Sequence, residues 1–390
     1  MFGRNLRVAV VAVVMVGLTA VGGVSQAAGT PGWRIVGTLP GGARMFAGIE
    51  ADGSGDAWIP GAMCTDDTCA RMTLVVRHWT GKSWQPVAVP KAFVDSPTLG
   101  GFNPPSAVSS PSSVWIFAPT RSGQTTSVLR WTGKAWKAPA TLHADIDTAV
   151  APNGNDVWTF GSTFPPAPTH IVPYVAHYNG SKWSAASFPL LAVDASATSA
   201  SDIWMIGLPP KLPIPQVAVG IMRFNGHKWV TTPLPSLGLT SHETAVATGI
   251  AAVSPSNVWA TGEIEIQPSS TDIYQGWPFL LHWNGTKWSK VNVPSLYSSE
   301  GLAPINGAIA QDGHGGVWLS VTNTLGASPP GALLHYNNGT WTQLPAPAAK
   351  GYVDAPSVLA WIPGTRSVWG IGSDTPPAGD GVTVILKYGT

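Results

Sequence analysis

Residues 257–259 (Asn-Val-Trp) and residues 283–288 (Trp-Asn-Gly-Thr-Lys-Trp) form a pair of motifs that recurs along the chain. The first motif, a polar residue or Gly, then a small or β-branched residue and a Trp, ends at Trp58, Trp115, Trp158, Trp204, Trp259, Trp318 and Trp369. The second, an aromatic residue, a Gly-containing turn and a Trp, ends at Trp84, Trp136, Trp183, Trp229, Trp288 and Trp341. Repeats of this length with strand and turn signals predict a radial array of small sheets.

The repeat around Trp259 divides into four strands. Residues 249–253 (Gly-Ile-Ala-Ala-Val) are small and predict the innermost strand, because many such strands converge on the axis of a radial array. The second strand opens at Asn257, and the third covers residues 278–283. The Asn-Gly turn at residues 284–285 then leads into the fourth strand through Trp288, as expected for a β-hairpin.

The seventh hairpin is divided between the two ends of the chain. Tyr388 is an aromatic residue before a turn with no Trp after it, while Trp33 begins a strand that has no hairpin partner. Joined together, they complete one more unit. We therefore expect an all-β fold, a seven-bladed β-propeller closed by the N-terminal strand, forming a single domain over residues 28–390.

The composition agrees with a turn-rich β fold. The 390 residues include 44 Gly and 36 Pro, too many for a helical bundle or a doubly wound α/β fold, and 44% of the residues are hydrophobic, which suffices for a core. The chain also holds 19 Trp. We expect both Trp series to fill the space between neighbouring twisted sheets.

The first residues resemble a secretory signal peptide. Arg4 and Arg7 precede an apolar run from Val8 to Val21, and Ser25-Gln26-Ala27-Ala28 supplies a small-residue cleavage site after Ala27. The run is shorter than the ~20 apolar residues of a membrane span. We expect residues 1–27 to be removed and the mature protein to be secreted and monomeric, without a membrane span.

The charge and the cysteine content indicate which partners the protein can bind and in which compartment it folds. Loss of Arg4 and Arg7 leaves 19 basic and 20 acidic residues, which excludes a basic footprint for nucleic acid. The two cysteines, Cys64 and Cys69, are close in sequence, and we expect a disulfide between them in an oxidising compartment. They make a poor zinc site because no His lies near them.

The hairpin turn resembles a known repeat family. Gly81-Lys82-Ser83-Trp84 is similar to the end of the Asp-box of sialidase-like propellers, although Trp79 stands where the Asp-box has its Asp. The mature chain as a whole resembles Trp-rich, seven-bladed propellers of secreted actinobacterial proteins of unknown role. This resemblance implies architecture and carries no chemistry.

A basic residue precedes the hairpin aromatic in every repeat: His78, Arg130, His177, Arg223, His282, His335 and Lys387. A position repeated in all seven blades lacks the asymmetry of a site. We expect this series to serve packing and hydrogen bonding.

A β-branched residue followed by Asp recurs before the innermost strand and supplies the candidate site residues Asp95, Asp147, Asp194 and Asp354. If these residues approach the mouth of the channel, their carboxylates could bind a glycan or a calcium ion, or act as an acid–base pair, with Asp147 and Asp194 as the catalytic candidates because their blades are adjacent. The alternative is that each Asp caps a turn through backbone N–H groups. We expect no other metal or cofactor.

The long connections on one face of the ring predict the recognition surface. The preferred interpretation is a non-catalytic module that binds an extracellular glycan or protein. The alternative is a glycan-active hydrolase or lyase with carboxylates at the channel mouth. Enzymatic activity is left open and not favoured.

Overall fold

The structure is a computed structural model that describes residues 32–39, 45–53, 55–100, 104–164, 171–211, 216–266, 275–294, 304–323, 332–344, 352–353, 355–375 and 381–389. The predicted signal peptide lies outside these ranges. Among the described residues the only helical element is a 3₁₀ turn at Lys91–Phe93. None of them belongs to a helix long and apolar enough to cross a membrane.

The strands form seven sheets, which we call blades 1 to 7. In chain order the strands are β1 (Trp33–Thr38), β2 (Met45–Ala47), β3 (Glu50–Gly53), β4 (Asp56–Cys64), β5 (Met72–Trp79), β6 (Trp84–Val87), β7 (Ser106–Ser110), β8 (Ser113–Pro119), β9 (Thr126–Trp131), β10 (Trp136–Leu142), β11 (Asp145–Asn153), β12 (Asp156–Thr163), β13 (Val172–Tyr178), β14 (Trp183–Ser187), β15 (Leu191–Ser199), β16 (Asp202–Leu208), β17 (Val217–Ala218), β18 (Gly220–Phe224), β19 (Trp229–Thr231), β20 (Glu243–Ser254), β21 (Asn257–Ile266), β22 (Gln275–Trp283), β23 (Trp288–Val291), β24 (Pro304–Gln311), β25 (Val317–Asn323), β26 (Ala332–Asn337), β27 (Thr340–Leu344), β28 (Tyr352–Val353), β29 (Val358–Trp361), β30 (Val368–Thr375) and β31 (Val382–Tyr388).

Blade 1 contains β2 to β6, blade 2 contains β7 to β10, and blade 3 contains β11 to β14. Blade 4 contains β15, β16, β18 and β19, whereas the short β17 joins β20 to β23 in blade 5 by parallel pairing with β20. Blade 6 contains β24 to β27, and blade 7 contains β28 to β31 together with β1. Apart from the β17 pair, the strands pair antiparallel.

The blades close into a ring. The innermost strands β3, β7, β11, β15, β20, β24 and β29 contact one another in this order, and β29 returns to contact β3. In blade 7, β1 pairs with β31, so that Trp33 lies opposite Tyr388. The predicted seven-bladed propeller, closed by the N-terminal strand, is confirmed.

Both Trp series pack between blades, as predicted. The first-series residues are buried, from Trp115, Trp204 and Trp369 at 0% exposure to Trp158 at 8%. A hairpin aromatic residue of the next blade packs against each of them: the ring centroids of Trp84 and Trp369 are 5.3 Å apart, and those of Trp204 and Trp288 are 5.7 Å apart. Edge-on aromatic contacts of this kind stabilise the interface beyond the burial of apolar area.

The recurring basic residue stacks on the first-series Trp of its own blade. His78 lies 4.1 Å from Trp58 between ring centroids, and its Nε2 is 2.7 Å from Asp56 Oδ2. Similar stacks occur at Trp158–His177, Trp259–His282 and Trp318–His335, and cations cover the rings at Arg130–Trp115, Arg223–Trp204 and Lys387–Trp369. The series therefore has the packing and hydrogen-bonding role predicted for it.

The short connections share one face of the ring. The hairpin-turn glycines Gly81, Gly133, Gly180, Gly226 and Gly285 have positive φ, and each packs against the turn between the first two strands of its blade. We call this the turn face. Because the strands are antiparallel, the opposite ends of the strands, such as the end of β12 and the start of β13, lie on the other face of the ring, here called the loop face.

Candidate functional site

The seven innermost strands enclose a central cavity of about 800 Å³. Most of the described residues that line it are small or aliphatic, such as Ala107, Ala149, Ala251 and Ala310. This size is within the range of small-ligand sites, about 300–1,000 Å³. Two of the described lining residues are ionisable, Glu50 and Asp194.

Glu50 is the one ionisable residue at its level of the ring. It lies opposite Trp58, in the register position that other innermost strands fill with small residues opposite their own Trp: Ala107, Val150, Ser196, Ala251, Ala310 and Ala360. Desolvation within the channel raises the pKa of Glu50 to about 8, and the negative charge of Asp194 contributes to this rise. Glu50 therefore carries a proton at neutral pH.

Asp194 is held by backbone donors from two blades. Its Oδ1 accepts a hydrogen bond from Ala195 N at 2.8 Å, and its Oδ2 accepts one from Ile250 N of the neighbouring strand β20 at 2.9 Å. Desolvation raises the pKa of Asp194 to about 6, although these two hydrogen bonds act to lower it. Asp194 is therefore mostly ionised at neutral pH.

The two carboxyl groups thus combine an acid and a base in one cavity. Asp194 lies opposite Ile206, two residues nearer the loop face than the Trp level at which Glu50 lies. A two-residue step along a strand is about 7 Å. Carboxyl groups whose environments separate their pKa values on either side of neutral pH are suited to general acid–base catalysis.

Asp147, the other catalytic candidate, does not line the cavity. Both strands have a β-bulge at the same level, between Ile146 and Thr148 in β11 and between Ala192 and Asp194 in β15. Asp147 lies eleven residues before Trp158, whereas Asp194 lies ten residues before Trp204. Thr148 therefore occupies the level of Asp194, and Asp147 falls in the bulge. Partial desolvation raises the pKa of Asp147 to about 7, and its charged neighbour is Asp145. The structure pairs Asp194 with Glu50, and it leaves Asp147 beside Asp145 at the loop-face end of β11.

Asp95 lies beside the outer strands of blade 1. Its Oδ1 is 2.8 Å from Arg71 Nε and accepts a hydrogen bond from Thr65 Oγ1 at 2.7 Å. It also has a left-handed φ of 47°, as expected in a tight turn. The carboxylate of Asp95 therefore binds side chains of blade 1, and its hydrogen bonds are not the backbone N–H contacts of the turn-cap alternative. Asp354 lies outside the described residues.

The predicted disulfide is present between Cys64 and Cys69, whose Cα atoms are 4.7 Å apart. The enclosed loop is organised by Asp66, whose carboxylate accepts hydrogen bonds from the backbone N–H groups of Thr68, Ala70 and Arg71. A hydrogen bond from Thr68 Oγ1, together with these backbone hydrogen bonds, lowers the pKa of Asp66 to about 2. The loop is therefore a rigid part of blade 1.

Sequence reasoning missed two buried carboxyl groups. Alignment on Trp58 and Trp259 would have placed Glu50 of Gly48-Ile49-Glu50-Ala51 at the position of Ala251. Glu263, near the loop face of blade 5, is only 4% exposed, and desolvation raises its pKa to about 7, with a further contribution from Glu265. No repeated pattern points to Glu263. Within the described ranges, no group of three or more His, Cys, Asp or Glu residues could hold a metal ion.

No protein-family model matches the sequence, and no curated protein matches it. Solved structures share its fold. The GH74 xyloglucanase from Xanthomonas campestris is similar at 14% identity and a TM-score of 0.54, with 89% of this chain covered; the chain spans only 54% of that enzyme. The β-propeller domain of the Trilobed protease from Pyrococcus furiosus is similar at 7% identity and a TM-score of 0.54, covering 89% of this chain and 94% of that one. A polysaccharide lyase of family PL25, an ulvan lyase, is similar at 12% identity and a TM-score of 0.51, covering 75% and 82%.

Proposed function

We propose that the protein is a secreted, glycan-active enzyme whose acid–base chemistry takes place in the central channel. The observation that carries the proposal is the pair Glu50 and Asp194, one protonated and one ionised at neutral pH, in a cavity of about 800 Å³. Each of the two residues comes from a different blade, so the pair exists only in the closed ring.

The prediction of a non-catalytic binding module is wrong. Similar structures include a xyloglucanase and a polysaccharide lyase, and both are enzymes that act on glycans. These neighbours support the alternative interpretation, a glycan-active hydrolase or lyase. Because the identities are 14% and 12%, the similarity supports only the fold, and the proposed chemistry rests on the pair of carboxyl groups.

Glu50 and Asp194 have complementary roles in the proposed reaction. Glu50 donates its proton to the glycosidic oxygen, and the bond between this oxygen and the anomeric carbon breaks with its electron pair moving to the oxygen. Asp194 accepts a proton from a water molecule whose oxygen bonds to the anomeric carbon. The products are an alcohol and a new reducing end, and solvent returns the proton from Asp194 to Glu50. Asp194 raises the pKa of Glu50, so the two carboxyl groups interact across the cavity.

Asp147 is the second candidate for proton transfer. Its pKa of about 7 would let it exchange protons at neutral pH, and it lies where the channel strand β11 begins. This role requires a substrate that reaches the loop-face end of β11. Replacement of Asp147 by Asn tests the role separately from the channel pair.

The test is incubation of the mature protein with insoluble cell-wall and plant polysaccharides, with assay of both retention on the solid and release of soluble sugar. We expect release by the native protein and a loss of about 10²–10⁴-fold in rate for Glu50→Gln and for Asp194→Asn. Glu265→Gln makes the same chemical change away from the channel and serves as the control. Retention without release, or full activity of both channel variants, would contradict the proposal.

Three further predictions accompany the proposed function, and each has its own measurement. Cleavage after Ala27 and export are checked by sequencing the N-terminus of protein recovered from the culture medium. A monomer is checked by light scattering. A bound calcium ion predicts that a chelator lowers the activity and that added calcium restores it.

A further inference from the structure

The charges that face the channel distinguish between glycan substrates. The described lining residues include the two carboxyl groups of Glu50 and Asp194 and no Lys, Arg or His. The polar residues that remain are uncharged, among them Thr248 and Gln311. The cavity therefore has zero to two negative charges, depending on pH, and no side-chain cation within the described lining.

Three basic residues of the propeller lie against Trp side chains outside the channel. Arg130, Arg223 and Lys387 lie over the rings of Trp115, Trp204 and Trp369, between 4.8 and 5.2 Å from the ring centroids. Arg223 also has its Nε 2.6 Å from Asp202 Oδ1. These cations pack between blades, so they do not neutralise a charged substrate in the channel.

The two glycan-cleaving reactions develop opposite charges. Elimination from a uronic acid builds negative charge on the sugar, which enzymes stabilise with cationic groups. Hydrolysis passes through a transition state that resembles an oxocarbenium ion, which is positive. An ionised Asp194 stabilises the second charge and destabilises the first, and it also repels an incoming uronate.

We propose that the channel accepts uncharged glycans and cleaves them by hydrolysis. This inference rests on the proposed function and adds its substrate class and reaction type. The lining also contains uncharged polar side chains, Thr248 and Gln311, of the kind that binds sugar hydroxyls.

The test compares two forms of one polymer, a polygalacturonan and its carboxyl-reduced, uncharged derivative, alongside a panel of neutral and uronate polysaccharides. Reducing ends report any cleavage, and the ultraviolet absorbance of an unsaturated uronate reports elimination alone. We expect reducing ends from neutral polymers, no unsaturated product, and a rate on every charged polymer at least about tenfold below that on the neutral polymers. If the polygalacturonan backbone is itself no substrate, the panel decides.

A change in channel charge gives an independent measurement. Gln311→Lys adds a cation to the lining, and Gln311→Met is the uncharged control of similar length. We expect the lysine variant alone to raise the affinity for a uronate oligosaccharide relative to its neutral counterpart, by about tenfold in the ratio of Kd values. Binding is measured by calorimetry, so the result does not depend on turnover.

The outcomes separate the two proposals. Unsaturated products, faster cleavage of the charged polymer, or an affinity ratio unchanged by Gln311→Lys would overturn the inference and leave a glycan-active enzyme standing. Absence of product from every polysaccharide, with the fold of the protein verified by circular dichroism, would overturn the proposed function itself.

Discussion

Glu50 and Asp194 determine how activity should depend on pH. Below about pH 6 Asp194 gains a proton and no longer acts as a base, and above about pH 8 Glu50 loses the proton that it donates. We therefore expect a bell-shaped profile of kcat/KM with a maximum near pH 7. The measurement is initial rate against pH on a soluble glycan. A profile that continues to rise above pH 9 would contradict the assignment of Glu50 as the acid.

Glu50 should also make stability depend on pH. Its pKa is higher in the folded protein than the ordinary value of 4.5, so the folded state binds the extra proton, and stability falls as pH rises from about 4.5 to 8. Glu50→Gln removes this dependence and should raise the free energy of unfolding by up to about 5 kcal/mol at pH 9 and hardly at all at pH 4. Denaturant unfolding at both pH values measures the difference.

Single residues of the site were only partly predictable from the sequence. The β-branched–Asp pattern led to Asp194, which does line the channel. The same pattern placed Asp147 in an equivalent position, but Asp147 is one residue farther from its Trp than Asp194 is, so it falls in the bulge that both strands share. Glu50 belongs to no motif. Its importance comes from six other strands whose small residues surround it, a relation that appears only when strands far apart in sequence meet.

At the scale of the element, each blade stacks a basic residue on its Trp, and in blades 1, 3, 4 and 6 an Asp of the same blade contacts that basic residue. Asp202 of blade 4 accepts three hydrogen bonds, from Arg223 Nε at 2.6 Å, Trp204 Nε1 at 3.3 Å and Thr198 Oγ1 at 2.5 Å. Asp202→Ala leaves the buried guanidinium unpaired, and we expect a loss of about 3 kcal/mol in the free energy of unfolding. Asp202→Asn keeps the acceptor oxygen and should lose less. Equal losses in urea titrations would argue against the role of the hydrogen bonds.

Removal of the disulfide of blade 1 should lower the free energy of unfolding by less than Asp202→Ala does. Replacement of both Cys64 and Cys69 by Ser releases a short loop, and the chain-entropy relation predicts a loss of about 2 kcal/mol. Because Asp66 still holds the loop through backbone N–H groups, we expect the cleavage activity to be unchanged. Thermal unfolding and the reducing-end assay measure the two effects. A loss of activity without a loss of stability would instead link this loop to substrate binding.

Strands and turns were largely predictable, since local chemistry specifies them. The strand divisions expected around Trp259 agree with β20 to β23. The hairpin turns follow from Asn and Gly: Asn284 Oδ1 accepts hydrogen bonds from Thr286 N and Lys287 N, and Gly285 has a φ of 95°. Such signals are contained within a few residues, so they do not require knowledge of the tertiary structure.

The whole molecule depends on the pairing of β1 with β31. Trp33 is 7% exposed and packs against Tyr388 with ring centroids 5.8 Å apart. Trp33→Ala should lower the free energy of unfolding by about 3–5 kcal/mol, because it leaves a cavity at the closing sheet. Trp277 is 39% exposed, and Trp277→Ala provides the matched control, with an expected loss below about 1 kcal/mol. If denaturant titrations show a loss for Trp33→Ala as small as that for Trp277→Ala, the closing sheet contributes little to stability.

At this scale the number of blades could be predicted, whereas the chemistry could not. Seven Trp motifs give the number of sheets directly. The charge of the channel and the raised pKa values of its carboxyl groups result from desolvation by seven converging strands. Because desolvation requires the assembled ring, no local sequence pattern predicts these pKa values.

The pairing of Trp33 with Tyr388 also means that the folded chain has the connectivity of a circle rather than a line. The last described residue, Gly389, is close to the start of the ring, since its carbonyl oxygen accepts a hydrogen bond from Arg34 Nη1. A short peptide could therefore join the two ends, and the chain could be opened at another hairpin turn, such as that at Gly339. The permuted protein should form the same ring, with blade 6 closed by strands from both ends.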